Sequence, residues 1–220
     1  MTIPLAVRRI AAALAVLLVA PGGTLLASGP DEDCHRAARS HLESEPAGEA
    51  PAAEPLRLAS LDVAYTDHQG RAGVLADLVD RPVLLTFFYT RCQNSKKCPM
   101  TVARLASLQK RLEETGMARR VRLVAITYEP QLDTPERLRR YASARGFELG
   151  PDALAIRLDD ERQQEVVDEL LIEVSYNAGW VNGHAVELSL LAAGGDVVRR
   201  YHATDWDNEQ VEEDLRGLLR

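Results

Sequence analysis

The sequence predicts an α/β fold with a central mixed sheet flanked by helices. Two continuous apolar runs, at 83–89 and 121–128, are typical of strands that are buried on both faces of a sheet. Helix patterns follow both runs, and this alternation of strand and helix is typical of parallel βαβ units. A hairpin pattern near the C-terminus adds antiparallel strands, so the sheet is predicted to be mixed.

The first half of the fold is predicted to open with an N-terminal hairpin, in which 56–65 pairs with the residues after a turn at 67–70. The strand at 83–89 comes next. It is followed by a helix, because apolar residues recur at helical spacing until Gly116 ends the pattern. These apolar residues are Val102, Leu105, Leu108 and Leu112. The second central strand, 121–128, completes a βαβ unit.

The second half is predicted to begin with a helix over 134–146. Thr134 provides an N-cap, Pro135 suits the first turn, and Gly146 ends the helix. The remaining elements are a strand at 154–158, a helix at 166–171, strands at 184–191 and 197–201, and a helix at 211–218. This order of elements is that of a thioredoxin-like fold.

Charge and composition exclude some classes of function. The 220 residues are 46% apolar and 27% charged, which suits a soluble domain with one sizeable core. The net charge is -7 and the pI is about 5.3, whereas a nucleic-acid-binding protein needs a basic face to neutralise phosphates. We therefore predict no nucleic-acid partner.

The N-terminal segment indicates export. Arg8 and Arg9 precede the apolar run 10–20, and small residues follow as far as Gly29. We predict that 1–27 is a secretory signal, or, if it is not cleaved, an anchor in the inner membrane. Residues 28–55 are rich in Ala, Pro and Glu and are predicted to form a flexible tether. The folded domain is predicted at 56–220, in the periplasm.

Two of the three cysteines lie where a strand meets a helix. Cys92 comes three residues after the first central strand, and Cys98-Pro99 begins the following helix. Both sulfurs are therefore expected at the carboxyl edge of the sheet, where open α/β folds place their sites. The positive end of the helix and the charges of Lys96 and Lys97 are expected to lower the thiol pKa values.

The spacing alone leaves three interpretations of this pair: a redox-active dithiol, two ligands of a metal ion, or a structural disulfide. A strand-to-helix turn with basic residues favours exchange or metal binding over a simple crosslink. A structural zinc site is disfavoured, because such sites need four ligands and no second close pair of Cys or His is present. Cys34, in the tether, has two interpretations: it joins the metal site or forms an intermolecular disulfide, or, as we favour, it is an exposed residue in a flexible arm.

Four segments together resemble the Sco/SenC proteins. They are Phe87-Phe88-Tyr89-Thr90-Arg91-Cys92, Cys98-Pro99-Met100-Thr101, 127–136 with its Asp-Thr-Pro-Glu helix start, and Gly183-His184-Ala185. The resemblance implies a thioredoxin-like fold on the outer face of a membrane. It implies a copper site made by Cys92, Cys98 and His184.

The same resemblance implies two roles for the protein. One is delivery of copper to the binuclear copper centre of a cytochrome c oxidase subunit, and the other is maintenance of the thiols of that centre, with a periplasmic thiol reductant as a further partner. This sequence departs from the family in having five residues between the cysteines, where three are usual. Glu129 also stands where an Asp before the Pro is usual.

His184 is expected to begin a core-facing row with Val186, Leu188 and Leu190, from which its imidazole points along the sheet toward the cysteines. Thiolates and imidazole together suit copper in both oxidation states. The other reading is a strand-end histidine bonded to backbone. Trp180 and Asn182 are candidates to support the site or to pack the loop. Apart from His35, which follows Cys34 in the tether, the other histidines are His41, His68 and His202; they have no partners at ligand spacing and are expected at the surface.

The leading hypothesis is thus a copper-binding assembly factor rather than an enzyme with turnover. Its Cys92–Cys98 pair would gate metal binding through its redox state, because a disulfide cannot hold a metal. The alternative is an enzyme, a periplasmic thiol-disulfide oxidoreductase that uses the same two cysteines without a metal. A peroxidase of the peroxiredoxin type is disfavoured, because its Pro-x-x-x-Thr-x-x-Cys pattern is missing.

Overall fold

The computed structural model describes residues 58–159 and 161–220. The predictions of a signal or anchor at 1–27 and of a tether at 28–55 lie outside the described residues, as does Cys34. Within the described ranges no helix is both long enough and apolar enough to cross a membrane.

Seven strands form one mixed sheet with the order β2-β1-β5-β4-β3-β8-β9. The three central strands are parallel to one another, and the outer strands on both sides run antiparallel to their neighbours. The strands of the described chain are β1 (Ala64–Asp67), β2 (Ala72–Val74), β3 (Val83–Phe88), β4 (Arg122–Thr127), β5 (Ala153–Leu158), β6 (Val174–Asn177), β7 (Trp180–His184), β8 (Glu187–Leu191) and β9 (Val197–His202).

Helices cover both faces of this sheet. They are α1 (Cys98–Glu114), α2 (Pro135–Ser143), α3 (Gln163–Glu169) and α4 (Asn208–Leu218), with 3₁₀ turns at Leu58–Ser60 and Leu75–Val79. The buried apolar residues of α1, α2 and α4 belong to one cluster, and those of α3 belong to a second cluster on the opposite face. The predicted mixed sheet flanked by helices, with an N-terminal hairpin formed by β1 and β2, is confirmed.

The central strand β3 explains the continuous apolar run. All six of its residues are buried. Leu84 and Phe88 contribute to the cluster that contains α1, whereas Leu85 and Phe87 contribute to the cluster that contains α3, as the alternation of side chains along a strand requires. Because β4 pairs with β3 in parallel, up to Phe88 opposite Thr127, both strands end at the same edge of the sheet.

The prediction for the region before β8 is wrong in one respect. His184 does not begin β8 but ends β7, which pairs with β6 in a separate two-stranded ribbon. The ribbon turns through Ala178 and Gly179, which both have positive φ angles, of 49° and 81°. Two such residues in a row form the tight hairpin turn whose twist matches that of paired strands. The expected row of His184 with Leu188 and Leu190 is therefore absent, since these leucines belong to β8.

Candidate metal centre

Cys92 and Cys98 lie at the carboxyl edge of β3. The chain turns after β3, with the N–H of Cys92 bonded to the carbonyl of Tyr89 at 3.3 Å. Cys98 is the first residue of α1, and Pro99 occupies its first turn. Cys92 is 8% exposed and Cys98 is fully buried, and neither is in a disulfide. The more exposed sulfur is therefore that of Cys92.

Asn94 folds the five-residue segment between the cysteines into a compact turn. Its side-chain oxygen accepts the N–H of Lys96 at 3.0 Å, and its carbonyl accepts the N–H of Lys97 at 3.0 Å. Asn side chains favour such turns because they replace a backbone acceptor. The Cys92 thiol also lies 3.8 Å from the Asn94 carbonyl. The five residues between the cysteines thus form a compact turn that keeps the two sulfurs near each other.

The structure brings His184 to this pair from the end of β7. Its Nε2 lies 3.5 Å from the sulfur of Cys98 and 4.0 Å from the sulfur of Cys92. The three donor atoms all lie within 4.8 Å of one another. A single metal ion between them would need only small movements of the side chains, so the donor set fits a metal site.

The protonation state of the His184 imidazole also suits a metal ligand. Its Nδ1 lies 2.7 Å from the carbonyl oxygen of Ala185. Because a carbonyl can only accept, Nδ1 carries the proton, and the lone pair of Nε2 faces the two sulfurs. Burial lowers the pKa of His184, and the positive charge of Lys97 lowers it further. The imidazole is therefore neutral at neutral pH.

The expectation of low thiol pKa values is wrong for Cys98. Burial raises the pKa of this thiol far above its ordinary value, and the nearby Cys92 sulfur raises it further. These effects outweigh the lowering of the Cys98 pKa that the N-terminus of α1 was expected to cause. The Nζ of Lys97 donates to the carbonyl oxygen of His184 at 2.9 Å.

Two tyrosine rings pack against the imidazole. The ring of Tyr89 meets that of His184 edge-on at 5.5 Å, and the ring of Tyr128 lies 5.4 Å away. Burial raises the pKa of both phenols. They are therefore neutral at physiological pH and form an uncharged wall that restricts rotation of the imidazole.

Glu129 and Arg91 form a support that the sequence analysis missed. Glu129 is buried, and its carboxylate accepts two bonds from the Arg91 guanidinium, at 3.0 and 2.7 Å. It also accepts the N–H of Val181 in β7 at 3.4 Å. The sequence did hold a signal for this support, because Glu129 is an acidic residue directly after a predicted buried strand. Glu129 thus connects the segment before Cys92 to the ribbon that carries His184.

The candidates Trp180 and Asn182 lie on the rim of an open groove that Cys92 and His184 also line. Trp180 is 47% exposed, and the Arg91 guanidinium stacks over its ring at 4.1 Å. Of the other histidines, His202 is exposed as expected. The surface prediction is wrong for His68, which is buried because its turn is drawn against α2 by a bond from Arg139 to the His68 carbonyl.

Comparison with known proteins decides the family. The SCO1/SenC family model matches residues 60–220. The chain belongs to the SCO1/SenC family. A human relative, the mitochondrial protein SCO2 homolog, is 28% identical over 173 residues, which cover 74% of this chain. The chain spans 62% of the length of that relative.

Solved structures of the family share the fold. BsSco, described as a member of the Sco family of cytochrome c oxidase assembly proteins with a disulfide switch, has a TM-score of 0.61 at 20% identity, covering 75% of this chain and 95% of its own. Arabidopsis thaliana ScoI, solved with copper bound, has a TM-score of 0.57 at 19% identity, covering 71% of this chain and 95% of its own. The thioredoxin-like fold predicted from the sequence is confirmed.

Proposed function

We propose that this SCO1/SenC protein is a periplasmic copper-binding assembly factor. Copper is its cargo, held by the sulfurs of Cys92 and Cys98 and by Nε2 of His184. It passes the ion to the binuclear copper centre of a cytochrome c oxidase subunit. The observation that carries the proposal is the position of Nε2, whose lone pair faces both sulfurs while Nδ1 is bonded to Ala185.

The chemistry of the donor set supports copper as the cargo. Thiolates are soft ligands that favour Cu(I), and imidazole suits copper in either oxidation state. The histidine is held in one tautomer by a backbone carbonyl, which is the support that ligating histidines usually have. Relatives support the same conclusion, because Arabidopsis ScoI was solved with copper and BsSco is described as an oxidase assembly protein.

Exposure suggests how the ion leaves the site. Cys92 is the more exposed sulfur and lies in the open groove, whereas Cys98 is fully buried. A thiolate of the client enters over Cys92, displaces that ligand first, and then takes the ion from Cys98 and His184. Exchange with a disulfide of another molecule converts Cys92 and Cys98 to their own disulfide, and that molecule takes up the two electrons and two protons. This exchange also removes both sulfur ligands, so redox state and metal binding are linked.

A Cu(I) titration of the full chain tests the proposal. The chain carries Cys34→Ser, is fully reduced, and competes with a chromophoric Cu(I) chelator under nitrogen. We expect one tight equivalent, with affinity falling more than about 100-fold in His184→Ala, since losing a ligand costs more than losing the support of a ligand. His202→Ala, which removes an exposed histidine, is the matched control and is expected to bind as the parent does. Absence of binding by the parent chain would reject the proposal.

The same cysteine pair favours one second candidate, a thiol-disulfide oxidoreductase. Cys92 is the accessible sulfur and would attack a client disulfide. The buried Cys98 would then displace the client, which gains two electrons and two protons as Cys92 and Cys98 form their own disulfide. This role does not need the Nε2 lone pair. Reductase activity that survives His184→Ala in a chain that binds no copper would favour this candidate.

A further inference from the structure

One side chain connects the segment between the cysteines to the histidine. Lys97, the residue directly before Cys98, is half-buried, and its Nζ donates to the carbonyl oxygen of His184 at 2.9 Å. Its neighbour Lys96 is exposed. The two lysines are adjacent in sequence but only Lys97 reaches β7, so they differ in their relation to His184.

The contact attaches the backbone of His184 to the body of the protein. The imidazole is held by Nδ1 to the carbonyl of Ala185, and the N–H of Ala185 is bonded to the carbonyl of Glu173 at 2.8 Å. The carbonyl of His184 itself is bonded to Lys97. The bond between Ala185 and Glu173 joins the two ends of the ribbon to each other, whereas the bond from Lys97 attaches the end of β7 to the start of α1. The ammonium of Lys97 therefore opposes movement of His184 away from the sulfurs.

The ribbon needs such a contact because little of it is buried. Every residue of β6 and β7 is exposed or half-buried, so packing holds the backbone of the ribbon less firmly than that of the central sheet. Hydrogen bonds attach β7 to the body of the protein. The N–H of Val181 donates to the carboxylate of Glu129, and the ammonium of Lys97 donates to the carbonyl of His184. The second of these bonds begins beside the ligand Cys98. It therefore couples the position of one ligand to that of another.

We propose that Lys97 is a positioning residue for copper binding: by holding the carbonyl of His184, it keeps Nε2 within reach of both sulfurs. This inference rests on the proposed function, and it assigns a role to the wider Cys92–Cys98 segment, whose last residue is Lys97. Lys97 acts through His184 and not through the charge of the thiolates. A long ammonium side chain suits the task, because it spans the gap while its charge strengthens the hydrogen bond to the carbonyl.

The test compares Lys97→Met with Lys96→Met in the reduced full chain that carries Cys34→Ser. Methionine removes the ammonium and keeps a long apolar side chain. We expect the affinity for Cu(I) to fall about tenfold in Lys97→Met, at the low end of what lost support of a ligand costs. It is expected to stay within about twofold of the parent in Lys96→Met. Equal affinities of the two variants would overturn the inference.

A double substitution separates positioning from charge. If Lys97 acts through His184, Lys97→Met causes no further loss of affinity in a His184→Ala background. An undiminished tenfold loss in that background would show that the ammonium acts on the thiolates, and would overturn the inference. Lys97→Arg retains a charged donor and is expected to bind within about threefold of the parent. An arginine variant as weak as Lys97→Met would also contradict the role.

A spectroscopic signal reports on the imidazole directly. In the Cu(I)-loaded protein, the ¹⁵N chemical shift of Nε2 in His184 is expected to be that of a metal-bound nitrogen in the parent and in Lys96→Met. In Lys97→Met it is expected to move toward the value of the apo protein, and an unchanged shift would contradict the inference. Copper binding by the parent chain decides the proposed function separately. If the parent binds and Lys97→Met matches it, only the positioning role fails.

Discussion

The guanidinium of Arg91 spans both carboxylate oxygens of the buried Glu129, through bonds of 3.0 and 2.7 Å. The two partners differ in exposure: the side chain of Arg91 is 40% exposed and that of Glu129 is 1% exposed. The ion pair therefore attaches the segment directly before Cys92 to the carboxylate of Glu129, which water does not reach.

This difference predicts unequal effects of removing the two partners. Arg91→Ala leaves a buried carboxylate without its cation and is expected to lower the free energy of unfolding by about 3 kcal/mol. Glu129→Gln leaves an arginine that water can reach, so a smaller loss of about 1 kcal/mol is expected. Urea unfolding of the apo protein measures both. Arg162→Ala, which removes an exposed ion pair with Glu165, is the control with an expected loss below about 1 kcal/mol. Equal losses for Arg91→Ala and Glu129→Gln would contradict the account.

The two thiols are expected to react at different rates. Cys98 is fully buried and burial raises its pKa, so little thiolate is present there at pH 7 and a reagent has no access to it. Alkylation of the reduced Cys34→Ser chain with iodoacetamide should modify Cys92 first, and Cys98 only after denaturation. Peptide mass spectrometry over time measures the order. Modification of Cys98 at a rate equal to that of Cys92 would show that the buried position is wrong.

Copper affinity is expected to rise with pH. Because the pKa of Cys98 is raised, its thiol carries a proton at neutral pH, and this proton must leave when Cu(I) binds. Each released proton makes the apparent affinity about tenfold stronger per pH unit, so an increase of at least about 30-fold is expected between pH 6.5 and 8. The lowered pKa of His184 favours the neutral imidazole over this range, so His184 adds little to the slope. Competition titrations at several pH values measure the slope, and a flat profile would be inconsistent with a protonated Cys98.

Gly195, in the turn between β8 and β9, is expected to tolerate no side chain. Its φ is 91°, and a Cβ there would lie 2.7 Å from the backbone nitrogen of Ala59. Gly194 has a φ of 95° but nothing within 4 Å of a Cβ, so Gly194→Ala carries only the backbone strain. We expect losses of about 1 kcal/mol for Gly194→Ala and about 2 to 3 kcal/mol for Gly195→Ala in urea unfolding. Equal losses would show that Ala59 does not approach this turn.

Most of the central sheet could be predicted because burial determines the pattern of its residues. The apolar run in β3 and the apolar stripe in α1 are both fully buried. Each pattern predicted the first residue of its element to within a residue or two of the observed position. The position of Cys98 at the start of α1 followed from the same pattern, because Pro99 suits a first turn.

The ribbon that carries His184 could not be predicted in this way. Its strands are short and largely exposed, so they show no alternation of apolar and polar residues. Its turn has Ala178 where Asn or Gly usually stands before Gly179, so the hairpin signal is weak. The role of Lys97 is equally hidden, because a long side chain can reach many acceptors and only the fold selects the His184 carbonyl.

X-ray absorption spectroscopy of the Cu(I)-loaded chain tests the central claim most directly. The account predicts two sulfur ligands and one imidazole nitrogen per copper ion in the parent, and loss of the imidazole nitrogen in His184→Ala. A parent spectrum with sulfur ligands alone, unchanged by the substitution of His184, would contradict it.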